Sequence, residues 1–211
     1  MIATYIVIGI IAYAIGSISF SIIFSKKFAG FDVREKGSGN AGTTNVLRTV
    51  GRKVAILTLI CDILKGTVAV LIAIIIGNIG KIQDKAILVQ IAAIFVIIGH
   101  TFPVYFGFKG GKGVATSLGV VLLINWQIGL ICLVFALLLM GLTKMVSLGS
   151  CSVALLYPVL TLFIHDNYLV KEGSGYFIYS VIIGIIVLFN HRSNIKRILN
   201  GTENKLSFGK K

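Results

Sequence analysis

Charge is scarce in this chain, and acidic charge scarcest: 13% of its 211 residues are charged, with seven Asp and Glu against 20 Lys and Arg. Ordinary soluble domains carry about 25%, so a solvated globule is excluded, the more so because 56% of the residues are apolar and the mean hydropathy is +0.97. Cysteine is nearly absent. Cys61, Cys132 and Cys151 lie in apolar runs with no C-x-x-C spacing and no His at ligand distance in sequence, which points away from a disulfide framework or a zinc site. No metal and no cofactor is expected. No internal repeat stands out, and the glycine- and lysine-rich stretch near residue 110 lacks the Ser or Thr that closes a nucleotide P-loop, Gly113 standing in its place.

What the chain has is hydrocarbon-length runs. A span needs about 20 apolar residues, and 2–24, 54–77, 86–106, 147–164 and 175–190 qualify. Ala12 and Ala14 resemble a signal cleavage site, but no basic residue precedes them, so 2–24 is read as a retained first span. The stretch 114–143 is either one long helix or two short ones broken at Asn125-Trp126-Gln127. Basic residues decide, because cytoplasmic loops are enriched in them. With two helices, sixteen of the 20 Lys and Arg, Lys210 and Lys211 among them, fall on one side against Lys81, Lys85 and Lys171 on the other, Lys65 lying within a span; with one helix the bias vanishes. The expectation is therefore an all-α polytopic bundle of seven spans, a single integral membrane domain over 1–211, N-terminus outside and C-terminus cytoplasmic. The helix 114–124 is then about 17 Å long and begins below the membrane surface.

A net charge of +13 carried in short loops between spans points to an anionic membrane face or an anionic substrate rather than nucleic acid. Two polar stretches gather on the same side. In "GHTFPVYFGFKGGKGVATSLG" (99–119), Gly110, Gly111 and Gly113 bare the backbone, Lys109 and Lys112 add charge, and the helix beginning near Val114 offers its N-terminal N–H groups. That is the composition of a phosphate cradle. In "GSGNAGTTNVLR" (37–48), Ser38, Asn40, Thr43, Thr44 and Asn45 supply hydroxyls and amides beside the guanidinium of Arg48, and no Lys, Glu or Pro intervenes between Gly37 and Arg48. Such a loop suits a small polyol phosphate. Asp62 and Lys65, one turn apart within a span, either pair with each other or send Lys65 to the site. Arg34, Arg52 and Lys53 are expected to hold the loop to anionic headgroups, and His191 and Asn194, three apart, to share one helical face.

Together these residues resemble a family. Asp32, Arg34, Gly37 to Asn40, Gly42, Thr44, Asn45 and Arg48 reproduce the first motif of the bacterial acyl-phosphate:glycerol-3-phosphate acyltransferases; 99–119 resembles the second, "VSLGS" (146–150) the third, and "HRSNIKRILNGTENK" the C-terminal end. Ser19 departs from a Pro common in the family, which bears on the bend of the first helix. The resemblance implies acyl transfer from acyl phosphate to the sn-1 hydroxyl of glycerol 3-phosphate, giving lysophosphatidic acid and inorganic phosphate, at the cytoplasmic face of a bacterial cytoplasmic membrane. Ser38, Asn40, His100 and Lys112 are the expected catalytic residues. Gly39, Thr44, Asn45, Arg48, Lys109, Gly110, Gly111, Gly113, His191 and Asn194 are the expected substrate-binding ones. The partners implied are the two substrates and membrane lipid, with a monomer assumed. The H-x-x-x-x-D pair of the other large acyltransferase class is missing: Tyr105, Val170 and Lys196 stand fifth after His100, His165 and His191. An oxygen of the acyl phosphate is the expected proton acceptor. A transporter or an anion-binding subunit for a small phosphorylated metabolite is the alternative.

Overall fold

Runs of Ile, Leu, Val and Ala in hydrocarbon satisfy their backbone as helices, and among the described residues of the computed structural model every regular element is helical. Residues 2–164 and 175–206 are described, so His165, Lys171, Lys210 and Lys211 lie outside the described residues. The chain divides into two compact units, Met1–Ile124 and Asn125–Lys211.

The first unit contains α1 (Ile2–Gly16), α2 (Phe20–Ala29), α3 (Thr43–Thr49), α4 (Arg52–Ile79), α5 (Lys85–Thr101) and α6 (Val114–Ile124), with 3-10 turns at Val33–Glu35 and Val104–Phe106. The second contains α7 (Trp126–Thr143), α8 (Val146–Leu160), α9 (Tyr176–Asn190) and α10 (Arg192–Leu199). Among the described residues, four stretches are long and apolar enough to cross a membrane: Ile2–Ala29, Arg52–Ile79, Lys85–Phe106 and Trp126–Thr143. The pair α9 and α10, bent by 66°, makes a fifth if counted as one span, while α6 and α8 are shorter apolar helices. The open question over 114–143 is answered by Asn125. Its backbone is extended and its side chain accepts from the N–H of Ile128, so it ends one helix and caps the next.

The first run is not one uninterrupted helix. It breaks at Ser17-Ile18-Ser19, where Ser19 is extended, and the bend forms without a proline. The carbonyl of Ile18 accepts from Lys65 Nζ at 2.8 Å and Ser17 Oγ accepts from the N–H of Val104 at 3.3 Å. Donors from other elements thus do what ring geometry would otherwise do.

Two helix crossings hold the first unit together. In α1 against α5, a Cβ on Gly16 would fall on the carbonyl of Val96, and one on Gly99 on that of Tyr13. In α4 against α6, Gly66 meets the carbonyl of Thr116 and Gly119 that of Ile63. Small residues on both partners bring backbones into contact, which is how helices associate where lipid is as apolar as leucine. The crossings place the end of α5 and the start of α6 beside the polar loops. Within the second unit, α8 packs on α7 and α9, with Tyr176 stacked on Tyr179 at 5.7 Å.

Candidate active site

The stretch between α2 and α4 is a folded element rather than a tether. Val33, Ala41 and Val46 are fully buried in a small core with Ile22 and Ala55. Asn45, 1% exposed, organises the polar half. Its Oδ1 accepts from the N–H of Ser38 at 2.9 Å, and its Nδ2 faces the carbonyls of Val33, Lys36 and Asn40 at 2.8, 3.0 and 3.1 Å. Gly37 adopts φ +62° directly against that Oδ1, a left-handed conformation costly for other residues. Asn45 was expected to bind substrate; its amide is instead committed to shaping the loop that presents Ser38, Gly39 and Asn40. Ser38, Gly39 and Arg48 are exposed, and Asn40 and Thr44 half-buried.

Arg34 corrects a second expectation. Rather than reaching for headgroups, its guanidinium grips Asp32 through Nε and Nη2 at 3.0 and 2.9 Å and donates from Nη1 to the carbonyls of Phe106 and Lys109 at 2.7 and 3.2 Å. One planar fork therefore ties the first loop to the glycine loop. The Arg34 guanidinium beside Asp32 holds its carboxyl at about 2, below the ordinary 3.8. Ionised Asp32 favours the folded chain, so its contribution is complete above about 4 and is lost as pH falls through about 2. Thermal unfolding of wild type and Arg34→Gln is expected to show a constant gap from pH 7 to 5 that shrinks as pH falls from 4 towards 2, leaving the part due to the two carbonyl bonds. A gap indifferent to pH would mean the Asp32 pair contributes nothing.

The glycine loop reaches its place by close approach. The N–H of Gly110 is spent on the carbonyl of Thr101 and that of Gly111 on His100, each at 3.0 Å. A Cβ on Gly110 would strike the His100 carbonyl, and one on Gly111 the His100 ring, with the carbonyl of Ala41 only 2.8 Å away. These two glycines, expected to bare the backbone for an anion, instead let the loop lie against the end of α5 and against the first loop, with no Cβ between. The backbone N–H groups that a helix start leaves without intrahelical partners belong here to the first turn of α6, which follows Gly113 at φ +88°. An open cleft of about 560 Å³ runs between the loops, lined by Asp32, Arg34, Glu35, Gly39, Phe106, Gly107, Lys109 and Gly110. Lys109 is exposed and Lys112 half-buried.

His100, expected among the catalytic residues, is 7% exposed, with Nδ1 3.6 Å from Asp62 Oδ1. Asp62 Oδ1 also lies 2.9 Å from Lys65 Nζ, so the intramembrane pair does pair. His191 and Asn194 belong to the second unit and are described with it. His191 Nδ1 lies 2.8 Å from the carbonyl of Val187, so that nitrogen carries the proton. Asn194 donates to Glu203 Oε1 at 2.8 Å, and Glu203 also receives Arg197 Nε at 2.9 Å. The stretch after α10 thus closes on its own unit, and Leu206 N–H reaches the Lys144 carbonyl at 2.7 Å. The roles of Arg34 and Asn45 had no signal in residue type alone, since an Arg and an Asn in a polar loop serve ligand or backbone equally well.

Comparison with known proteins places this architecture among relatives. A family model described as "Glycerol-3-phosphate acyltransferase" matches residues 6–201. The chain is 44% identical over 203 residues to the glycerol-3-phosphate acyltransferase of Clostridioides difficile (strain 630), covering 96% of each. It is 42% identical over 211 residues to that of Shouchella clausii (strain KSM-K16), covering 100% of this chain and 99% of the relative. Among solved structures, the crystal structure of PlsY (YgiH), an integral membrane glycerol 3-phosphate acyltransferase in its glycerol 3-phosphate form, superposes with a TM-score of 0.83 at 32% identity over 96% of each chain. Its lysophosphatidic acid form gives 0.81 at 31%, over 96% of this chain and 95% of that one.

Proposed function

Because the chain belongs to the glycerol-3-phosphate acyltransferase family, we propose that it moves a fatty acyl group from acyl phosphate to the sn-1 hydroxyl of glycerol 3-phosphate. The products are lysophosphatidic acid and inorganic phosphate. The observation that carries this reading is the cleft between two loops joined by Arg34, with Lys109 on its wall and Ser38 and Gly39 on the facing loop. Two phosphates need two basic loops. Arg48 takes the phosphate of glycerol 3-phosphate through its fork, while Lys109, Lys112 and the first turn of α6 neutralise the acyl phosphate. Ser38, Asn40 and Thr44 orient the glycerol.

Acyl phosphate is a mixed anhydride, so orientation and charge neutralisation supply most of what the reaction needs. The hydroxyl oxygen bonds to the acyl carbon, the acyl carbon–phosphate oxygen bond breaks, and the departing phosphate takes the hydroxyl proton. Burial of His100 favours that route, because its ring does not open onto the cleft. The excess of Lys and Arg beside the loops supports a cleft that faces the cytoplasm in a seven-span protein of the bacterial cytoplasmic membrane, with the N-terminus outside.

The test is phosphate release by the detergent-purified protein given palmitoyl phosphate, with and without glycerol 3-phosphate, beside palmitoyl-CoA and EDTA controls. Release that needs both substrates, ignores the thioester and survives EDTA is expected. Arg48→Lys should raise the KM for glycerol 3-phosphate about tenfold and that for acyl phosphate far less. The reverse pattern would exchange the two loops' assignments, and no release from folded protein would favour a transport or binding role.

A further inference from the structure

Three ionisable side chains lie buried together in the first unit: Asp62, Lys65 and His100, at 2%, 4% and 7% exposure. Such groups are costly in an apolar bundle, and helix packing alone would be served better by apolar residues. Lys65 and His100 each make a contact that reaches beyond the cluster, and Asp62 stands between them. Lys65 Nζ donates to the carbonyl of Ile18 at the helix break and stands 5.8 Å from the centroid of the Phe20 ring, just beyond that break. Asp62 Oδ1 lies between Lys65 Nζ at 2.9 Å and His100 Nδ1 at 3.6 Å. The carbonyl of His100 receives the N–H of Gly111, and its ring fills the space where a Gly111 side chain would sit. The chain of contacts runs from the α1–α2 break, across α4, through the end of α5, into the glycine loop. None of the three side chains lines the cleft.

We propose that Asp62, Lys65 and His100 are positioning residues, a buried brace that ties the helix break to the glycine loop and fixes that loop for acyl transfer. The kinetic part rests on the acyltransferase reading; the mechanical part does not. The glycine loop contains two lysines, so trypsin reports directly on how firmly it is held, through cleavage after Lys109 or Lys112 in otherwise native protein.

The first variant is the double substitution Asp62→Leu with Lys65→Met, which removes both charges at similar volume and strands neither. In protein that still unfolds cooperatively, kcat is expected to fall about tenfold or more while both KM values stay within about threefold. Tryptic cleavage of the loop should accelerate about tenfold. Wild-type turnover and wild-type cleavage would overturn the proposal. A second pair decides the matter even if the double variant does not fold. His100→Asn keeps a polar group near the position of Nδ1, 3.6 Å from Asp62 Oδ1, and should retain roughly a third or more of kcat, whereas His100→Leu should lose about tenfold and loosen the loop. Equal loss in Asn and Leu with unchanged cleavage would show that the imidazole acts on substrate and that the brace is wrong. Should wild type release no phosphate, the acyltransferase reading fails, and the cleavage rates still decide whether the brace exists.

Discussion

Gly110→Ala is expected to lower kcat for acyl transfer about 100-fold or more while the helices remain folded. The new Cβ would strike the backbone carbonyl of His100, and it would lie 2.6 Å from Pro103 Cδ and 2.8 Å from the carbonyl of Thr101. None of these is the end of a flexible side chain, so the loop itself has to move, and a displacement of about 1 Å at a reacting centre costs on the order of 100-fold. The substitution lies between the Val104–Phe106 turn and α6, outside every helix, so circular dichroism and thermal unfolding should change little. Activity near wild type would mean that the loop can shift without consequence, and the two lysines would lose their assignment to the acyl phosphate.

Asn45→Ala should be nearly as severe for a different reason. It strands the N–H of Ser38 and removes the shared donor of three carbonyls, those of Val33, Lys36 and Asn40. Several backbone groups lose partners at once, at about 1 kcal/mol or more for each that stays dry, so a loss on the order of 2–4 kcal/mol is expected with activity falling alongside. The isosteric change separates the two halves of the arrangement. Asn45→Asp keeps an acceptor for Ser38 but turns a second oxygen towards the three carbonyls, and it should be no better tolerated than alanine. If Asp were benign, the carbonyls would have other donors and the amide could be reassigned to substrate.

Much of the helical layout was legible because hydrocarbon imposes a single length scale. The runs at 54–77 and 175–190 sit within or on α4 and α9, and the lysine and arginine distribution asked for a break near Asn125 where Asn125 does cap α7. The first run was harder. Ser17-Ile18-Ser19 looks like any short polar interruption, and the donor to the Ile18 carbonyl at the break is Lys65, 47 residues away in the chain. The loops divide in the same way. Clustered glycines, lysines and amides pointed to the two loops that line the cleft, but composition could not say that Gly110 and Gly111 spend their N–H groups on α5, that Arg34 spans both loops, or that Asn45 faces inward. Those are facts about partners distant in sequence, and a single side chain's chemistry does not name its partner.

The Ile18 carbonyl also bears on the order in which the protein assembles. Helices enter a bilayer in sequence, and α1 and α2 are complete before residue 65 has been made. Until α4 arrives, the interruption in the first hydrophobic segment has an acceptor with no lysine to receive, which in hydrocarbon favours a straighter helix or retention near water. The Ile18 carbonyl takes its donor from α4 and Ser17 Oγ takes one from Val104, so the bend is expected to be completed as those elements dock. A chain truncated before Asp62 should insert its first segment without that bend, and the first loop would be fixed only after α4 and then the Phe106 and Lys109 carbonyls that Arg34 grips have been added.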